Sequence, residues 1–192
     1  MPDRNQAALD FLLSRRSRPA KTLTGPVPDR DTLMTLLTAA ARTPDHGKLE
    51  PWRFIVLEKA ALARLASLVP VHGERLGEPE DRIAKSRAQF ADAELAVAVI
   101  CSPKPSEKIP EIEQVYSAGA VCLALLNAAL AAGWGANWLS GWPSHDRGFI
   151  SEGLGLADTE TVAGFIHLGT ESSAPPERPR PDLDAITTWV SA

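Results

Sequence analysis

Three short segments concentrate the side chains that could bind an anionic ligand. Guanidinium groups donate hydrogen bonds in a planar fork that suits phosphate and carboxylate oxygens. Arginines at the C-terminal end of a helix also interact favourably with the helix dipole, but the first segment has more cations than this interaction requires. The segments are Arg15-Arg16-Ser17 near the start, Arg42 with His46 in the middle, and Arg178 with Arg180 near the end. They predict a site for an anionic or electron-accepting ligand.

A run of glycines and tryptophans, from Gly133 to Trp142, adds a different kind of group. Its glycines allow the backbone to approach a ligand closely, Trp138 offers a flat wall and Ser140 a donor, although packing alone explains most tryptophans. The run is neither the dinucleotide fingerprint G-x-G-x-x-G nor the nucleophile elbow G-x-S-x-G, because Trp138 occupies a position that each reserves for glycine. A ligand with a flat, electron-poor ring and a phosphate tail would use all of these groups. Flavin mononucleotide (FMN) has that form.

Composition limits the class of protein. With 192 residues the chain is long enough for one substantial core, so we expect a single domain over 1–192. A net charge of -4 and a sequence pI near 5.6 argue against a nucleic-acid binder. The first helix is amphipathic and no apolar signal core precedes it, which favours a cytoplasmic protein without a membrane span. Cys101 and Cys122 have no metal-ligand spacing, so no metal site is expected.

The spacing of apolar residues predicts alternating helices and strands. Helices are predicted over 5–17, 31–41, 58–69, 80–90 and 111–132, with a short one that is capped by Ser144, runs through Ile150 and ends near Gly153 or Gly155. Buried strands are predicted over 52–57, 95–101 and 161–169, loops over 20–28, 70–77 and 133–142, and an extended tail over 172–181. The half-helix 118–132 is apolar nearly all round, which indicates burial in a core or an interface. The charge run 78–87 is typical of a solvated helix face.

In these features the chain resembles the nitroreductase family, and within it the minimal single-domain FMN proteins. The resemblance rests on segments in a fixed order along nearly the whole chain. These are Arg15-Arg16-Ser17 after the first helix, 41–46 followed by 50–54, 135–141 with Trp138 and Ser140, and a closing strand with Gly164, Leu168 and Gly169 before the basic tail.

The resemblance implies an α+β protein with a three-layer α/β/α fold around a mixed central sheet. It also implies an intertwined homodimer that holds two FMN molecules at the subunit interface. The residues implied in FMN binding are Arg15, Arg16 and Ser17 for the ring and phosphate, Arg42 and His46 from the partner subunit, Trp138, Leu139 and Ser140 at the ring edge, and Arg178 and Arg180 as a phosphate clamp.

The function implied is an oxidoreductase that passes hydride from NAD(P)H through FMN to nitroaromatic, quinone-like or other small acceptors by ping-pong exchange. The cofactor performs the redox chemistry, so no catalytic nucleophile is expected. Arg15 or Arg16 is expected to stabilise negative charge that develops on the ring. Leu139 stands where close relatives have arginine, and Lys21 or an arginine of the tail is the candidate to replace that cation.

Two alternatives remain at this point. One is a flavin-binding protein of the same fold that is not a reductase: a flavin-consuming, dehalogenating or FMN-holding protein. The other is a cofactor-free hydrolase that uses Ser140, His46 and an aspartate, which the missing nucleophile elbow disfavours.

Overall fold

The computed structural model describes residues 3–191, which form helices around one sheet. The helices are α1 (Gln6–Ser14), α2 (Arg30–Ala40), α3 (Lys59–Leu76), α4 (Glu80–Ala91), α5 (Glu111–Ala131), α6 (Trp142–His145), α7 (Arg147–Leu154) and α8 (Leu183–Ile186). The strands are β1 (Leu23–Thr24), β2 (Trp52–Glu58), β3 (Leu95–Cys101), β4 (Gly135–Leu139) and β5 (Thr161–Glu171). Short 3-10 turns cover Ala20–Thr22 and His46–Lys48.

The sheet is organised around β5, which pairs with β3, with β4 and, through its last residues, with β1. β2 pairs only with β3 and forms an edge of the sheet. Every pairing among the described residues is antiparallel, so the mixed sheet that we expected is wrong for the single chain. The edge position also corrects the expectation that 52–57 is fully buried, since only Leu57 of β2 is.

Helices cover both faces of this sheet and confirm the α+β, three-layer arrangement. α2 and α5 pack against one face, and α3, α4 and α7 pack against the other. β3 supplies both cores, because Val97 and Val99 face α2 and α5 while Ala96 and Ala98 face the opposite layer. Burial on both faces explains why the sequence of β3 shows no alternation of apolar and polar residues.

α5 is long and apolar enough to cross a membrane by length and composition alone. In the structure it is instead a core helix that packs on β3, β4 and β5. Residues such as Val121, Cys122 and Leu125 are fully buried, whereas Tyr116 and Leu123 on the opposite face are exposed. The helix therefore has one face in the core and one apolar face uncovered in the single chain.

The end of α3 and the start of α7 differ from the predictions. α3 continues through Pro70 to Leu76, although 70–77 was expected to be a loop. Proline removes one backbone donor, but His72 and Gly73 beyond it are buried against neighbouring elements, so tertiary packing holds the helix together. The later helix is capped by Asp146, whose carboxylate accepts from the Phe149 N–H at 2.8 Å, and not by Ser144.

Two strands lie in segments that were expected to be loops. β1 interrupts the predicted linker 20–28, and β4 occupies the middle of the glycine and tryptophan run. Glycine and asparagine have low strand propensity, so β4 depends on pairing with β5 and not on its own sequence. Gly135 has no room for a side chain, because a Cβ there would meet the Leu23 side chain and the Gly169 carbonyl.

Candidate functional site

The basic segment after α1 runs along the free edge of β4. α1 ends at Ser14, three residues before the predicted end, and the backbone then turns to extended geometry at Arg15. The Arg18 N–H donates to the Ala136 carbonyl at 2.8 Å, and the Asn137 side-chain amide donates to the Arg18 carbonyl at 2.6 Å. An edge strand offers unpaired backbone groups, so pairing with β4 accounts for the early end of the helix.

Arg15 and Arg16 lie near the tail, residues 172–181, at the start of β4. Burial and, to a smaller degree, the positive charge of Arg180 lower the pKa of Arg15. The Arg15 Nη2 donates to the Ser17 hydroxyl at 3.2 Å, but Arg15 Nε and Arg16 Nη1 are buried without a hydrogen-bond partner among residues 3–191. Positively charged side chains from the two ends of the sequence thus lie near each other, and some of their guanidinium N–H donors have no acceptor among the described residues. This is the electrostatic form of an anion site.

A carboxylate of the tail lies beside these cations. Glu177 Oε1 is 2.7 Å from the Arg180 guanidinium. The pKa of Glu177 is lowered, first by the hydrogen bond that the Arg178 backbone N–H donates to its carboxylate at 3.0 Å. The positive charges of Arg180 and Arg16 lower it further. Arg180 therefore lies near the first basic segment. Arg178 is exposed, donates only its backbone N–H to Glu177, and has no ion pair of its side chain among residues 3–191.

The other end of β4 carries the predicted ring-edge residues. The indole of Trp138 lies over Gly164 of β5 on the side of the sheet that faces α5, and it remains 38% exposed. Because side chains alternate along a strand, Leu139 points to the opposite side, where it and Ser140 line a cavity of about 390 Å³. The side chains of Trp138 and Leu139 thus lie on opposite sides of the sheet.

The cavity beside Leu139 contains polar residues that the sequence reasoning missed. Lys85 and Gln89 of α4 reach it from one side, Lys21 from another, and the buried His167 lies in its wall. Burial lowers the pKa of His167 to about 4, so its imidazole is neutral near pH 7, and its Nε2 has no hydrogen-bond partner. In the sequence, the available signal for this polar lining was His167, a polar residue within the apolar part of strand β5. Lys21, the proposed replacement for the cation absent at Leu139, does lie beside it.

The loop between α2 and β2, residues 41–51, is held in shape by Asp45. We call this segment the central loop. The two carboxylate oxygens of Asp45 accept from the backbone N–H groups of Leu49 at 2.9 Å and Glu50 at 2.8 Å. Between these bonds, Gly47, Lys48 and Glu50 all have positive φ angles, of 74, 55 and 48°. Such angles are unfavourable for residues with a Cβ and are found where surrounding contacts enforce them, often at functional loops.

Arg42 and His46 lie on this loop, against α5. His46 Nδ1 is 2.6 Å from the Glu113 carboxylate, and both side chains are substantially exposed. Arg42 is exposed and has no ion pair among residues 3–191. No described contact joins this loop to Arg15 or to Ser140, so one chain does not bring all the predicted residues together. The same separation gives the hydrolase alternative no support, because His46 pairs with Glu113.

The two ends of β4 together suit a ligand with an anionic tail and a flat ring. Gly135 lines a cavity of about 270 Å³ together with Arg15, Arg16 and Arg18, which we call the arginine cavity. Leu139 lines the cavity of about 390 Å³, and the two residues are about 13 Å apart at the usual rise of a strand. Buried, unpartnered guanidinium donors of Arg15 and Arg16 fit a phosphate group. The exposed indole of Trp138 fits the face of a planar ring. The residues present therefore fit FMN.

Comparison with known proteins agrees with this geometry. The family model described as "Nitroreductase family" matches residues 12–170. A protein of Escherichia coli strain K12, YdjA, which is named among the NAD(P)H nitroreductases, is 32% identical over 163 residues, covering 85% of this chain and 87% of its own. A relative from Haemophilus influenzae with the same kind of name is 33% identical over 165 residues, covering 85% and 88%.

Solved structures share the fold at lower sequence identity. The nitroreductase-like family protein from Bacillus cereus matches with a TM-score of 0.79 and 23% identity, over 100% of both chains. The FMN- and NADPH-dependent nitroreductase NfnB from Sphigopyxis sp. strain HMH matches with a TM-score of 0.74 and 19% identity, over 96% of this chain and 99% of that one.

Fold and relatives together define an α+β protein with the nitroreductase-like fold. The match over residues 12–170 is decisive for the family. The chain belongs to the nitroreductase family.

Proposed function

We propose that this chain is an FMN-dependent oxidoreductase that passes hydride from NAD(P)H through bound FMN to nitroaromatic, quinone-like or other small electron acceptors by ping-pong exchange. The observation that carries the proposal is the group of buried, unpartnered guanidinium donors at the start of β4, with an exposed indole at its other end. The names of relatives, which include NAD(P)H nitroreductases and an FMN- and NADPH-dependent nitroreductase, support the same assignment.

Arg15, Arg16, Ser17 and Arg180 would hold the phosphate tail in this proposal. Their donors converge from two ends of the chain, and a doubly charged phosphate would offset the repulsion between Arg15 and Arg180. Trp138 and Ser140 would border the ring. The expectation that Arg15 or Arg16 also stabilises negative charge on the ring stays a prediction, as does a role for Arg178.

A homodimer would complete the site. Arg42 and His46 lie on a shaped loop outside the two cavities of β4, which suits residues that serve the site of a second copy. Large apolar side chains are exposed in the single chain: Leu12 and Leu13 on α1, Ile112, Tyr116 and Leu123 on α5, and Leu183, Ile186 and Trp189 in the tail. Exposed apolar surface of this extent favours association. We further propose that the protein is cytoplasmic.

The visible absorption spectrum of the purified protein, before and after anaerobic NADH and then NADPH, tests the function. A flavin spectrum that bleaches on addition is expected, and the nucleotide that bleaches it faster identifies the donor. A flavin that stays oxidised with both would favour the non-reductase alternative. A colourless protein that does not take up added FMN would refute the proposal.

Sedimentation velocity over a range of protein concentrations tests the dimer. We expect a species of twice the mass of the 20.6 kDa chain. The variant Leu123→Glu, which places a charge on the exposed face of α5, is expected to shift this species to the monomer and to release FMN. A monomeric wild-type protein that retains FMN would contradict a site shared between subunits.

A further inference from the structure

One face of α4 forms a groove with the segment that follows β4. Its residues Arg82, Lys85, Ser86 and Gln89 are spaced i, i+3, i+4 and i+7, which places them on the same face of the helix. They line a cavity of about 180 Å³ together with Ser140, Gly141 and Trp142. Lys85, Gln89 and Ser140 are shared with the adjoining cavity of about 390 Å³ beside Leu139. We refer to these two cavities together as the α4 groove.

The α4 groove carries more positive than negative charge. Lys21, Arg82 and Lys85 line it, against the single carboxylate of Asp92. Arg82 is paired with Glu78 at 2.9 Å, whereas within residues 3–191 neither lysine forms an ion pair. Unpaired ammonium groups in a concave site attract anions.

Buried polar groups of the α4 groove also lack partners. Trp142 Nε1–H, which can only donate, is buried without an acceptor, and its ring is held by an edge-on contact with Phe149. His167, which is 2% exposed, has an unpartnered Nε2 in the wall of the larger cavity. A buried donor or acceptor without a partner is costly, so these groups indicate that the groove is built to receive a polar ligand.

The position of the groove separates its ligand from the phosphate of FMN. Arg15 and Arg16 lie at the Gly135 end of β4, and Lys85 lies at the Leu139 end, about 13 Å further along the strand. A second anion site here would lie next to the segment proposed to border the ring. We therefore expect the anionic group to belong to a molecule that exchanges electrons with the ring.

We infer that the α4 groove binds an oxyanion, a carboxylate or a phosphate, of the small molecule that reacts at the flavin, with Lys85 as the principal cation. This inference rests on the proposed function, because it assumes a flavin ring beside Leu139 and Ser140. Lys85 is a specificity-determining residue in this assignment. It selects reactants with a negatively charged group.

Pairs of ligands that differ by one anionic group test the inference. The acceptor pair is 4-nitrobenzoate and nitrobenzene, and the donor pair is NADPH and NADH. Calorimetric titration of the oxidised holoprotein measures affinity without reaction for the two acceptors and for NADP⁺ and NAD⁺, which cannot reduce the flavin, and steady-state kinetics give KM for all four reactants. Lys85→Met is expected to weaken the charged member of one pair by about tenfold to a hundredfold, the usual range for a hydrogen bond to a charged group. The uncharged member of the acceptor pair, or NADH, should change little.

The affected pair identifies the source of the oxyanion. A loss confined to 4-nitrobenzoate assigns the groove to a carboxylate on the acceptor, and a loss confined to NADPH assigns it to the extra phosphate of the donor. Lys85→Arg should preserve most of the affinity. Arg87→Gln, which removes an exposed cation of the same helix that does not line the groove, is the matched control.

The inference would be overturned by no change with Lys85→Met in either pair, by equal losses for both members of each pair, or by a loss that Arg87→Gln reproduces. A loss of FMN affinity in Lys85→Met would also overturn it, since the groove would then hold the cofactor. Failure of the proposed function is a separate outcome, visible as the absence of flavin in the wild-type spectrum. Titration of the flavin-free protein with 4-nitrobenzoate would still report on the groove.

Discussion

Gly164 of β5 lies directly beneath the five-membered ring of the Trp138 indole, so that a Cβ on this glycine would overlap the ring. Trp138 is paired across the strands with Ile166, which places Gly164 on its diagonal. The indole can lie flat on the sheet because Gly164 has no side chain. The aromatic wall of the site is therefore set by a residue on the neighbouring strand.

Gly164→Ala is expected to lift the indole off the sheet and to weaken FMN binding about tenfold. Overpacking of this kind costs about 1–3 kcal/mol of unfolding free energy. The double variant Gly164→Ala/Trp138→Leu should recover stability without recovering FMN affinity. FMN titration and urea unfolding measure the two effects. A Gly164→Ala protein with unchanged FMN affinity would show that the indole does not border the ring.

Much of this arrangement was predictable from the sequence, because apolar patterning is local and strong in the core. The uninterrupted apolar run Leu95 to Cys101 predicted a strand covered on both faces, and β3 is one. The half-apolar α5 predicted a helix with a core face. Arg15 and Arg16 stood out through the density of cations, and the structure places Arg15 near Arg180 and Arg16 near Glu177.

The features that the sequence did not predict depend on partners distant in the chain. β4 is a strand because β5 pairs with it, and α3 passes Pro70 because His72 is held by Asp146 and Glu152. Lys85 belongs to a charge run whose composition is typical of a solvated face. Its place in the groove follows only from the packing of α4 beside Ser140.

Asp45→Ala is expected to loosen the central loop and to lower FMN affinity. The variant removes the two acceptors of the Leu49 and Glu50 N–H groups. Each of these charge-assisted hydrogen bonds is worth about 1.5–3 kcal/mol. The positive φ angles of Lys48 and Glu50 would then relax. Hydrogen exchange should accelerate at these two amides. Asp45→Asn keeps one acceptor oxygen and should have an intermediate effect, and unchanged exchange in Asp45→Ala would contradict the role of the carboxylate.

Glu160 should make the fold sensitive to acid. Hydrogen bonds from the Arg53 guanidinium, at 2.6 and 2.8 Å, lower the pKa of Glu160 from 4.5 to about 2. The folded state therefore releases this proton more readily than the unfolded state, so the stabilisation is complete above about pH 4.5 and is lost as the pH falls towards 2. Its size is about 2 kcal/mol after allowance for the partly exposed Arg53.

Urea unfolding at several pH values between 7 and 3 measures this dependence. Glu160→Gln is expected to be less stable at pH 7 and to lose less stability than the wild type on acidification. Glu107→Gln, in an exposed loop, serves as the control and should follow the wild-type curve. Parallel curves for Glu160→Gln and the wild type would exclude Glu160 as a source of the acid sensitivity.

Arg180→Gln is expected to separate phosphate binding from ring binding. The guanidinium of Arg180 lies near that of Arg15 and would contact only the tail of FMN. FMN affinity should fall by about tenfold, the effect of one charge-assisted hydrogen bond, while the affinity for riboflavin, which lacks the phosphate, should stay the same. Lys108→Gln in an exposed loop is the control. Equal losses for FMN and riboflavin would place Arg180 elsewhere than at the phosphate.

Glu177→Gln should strengthen FMN binding, because the Glu177 carboxylate lies within 2.7 Å of the Arg180 guanidinium and competes for it with an incoming phosphate. The pair is exposed, and exposed ion pairs are weak and screened by salt. We therefore expect a gain of about twofold in FMN affinity at low salt, which disappears as salt concentration rises. Riboflavin affinity should not change. Weaker FMN binding in Glu177→Gln would mean that this carboxylate orders the tail around the phosphate and does not compete with it.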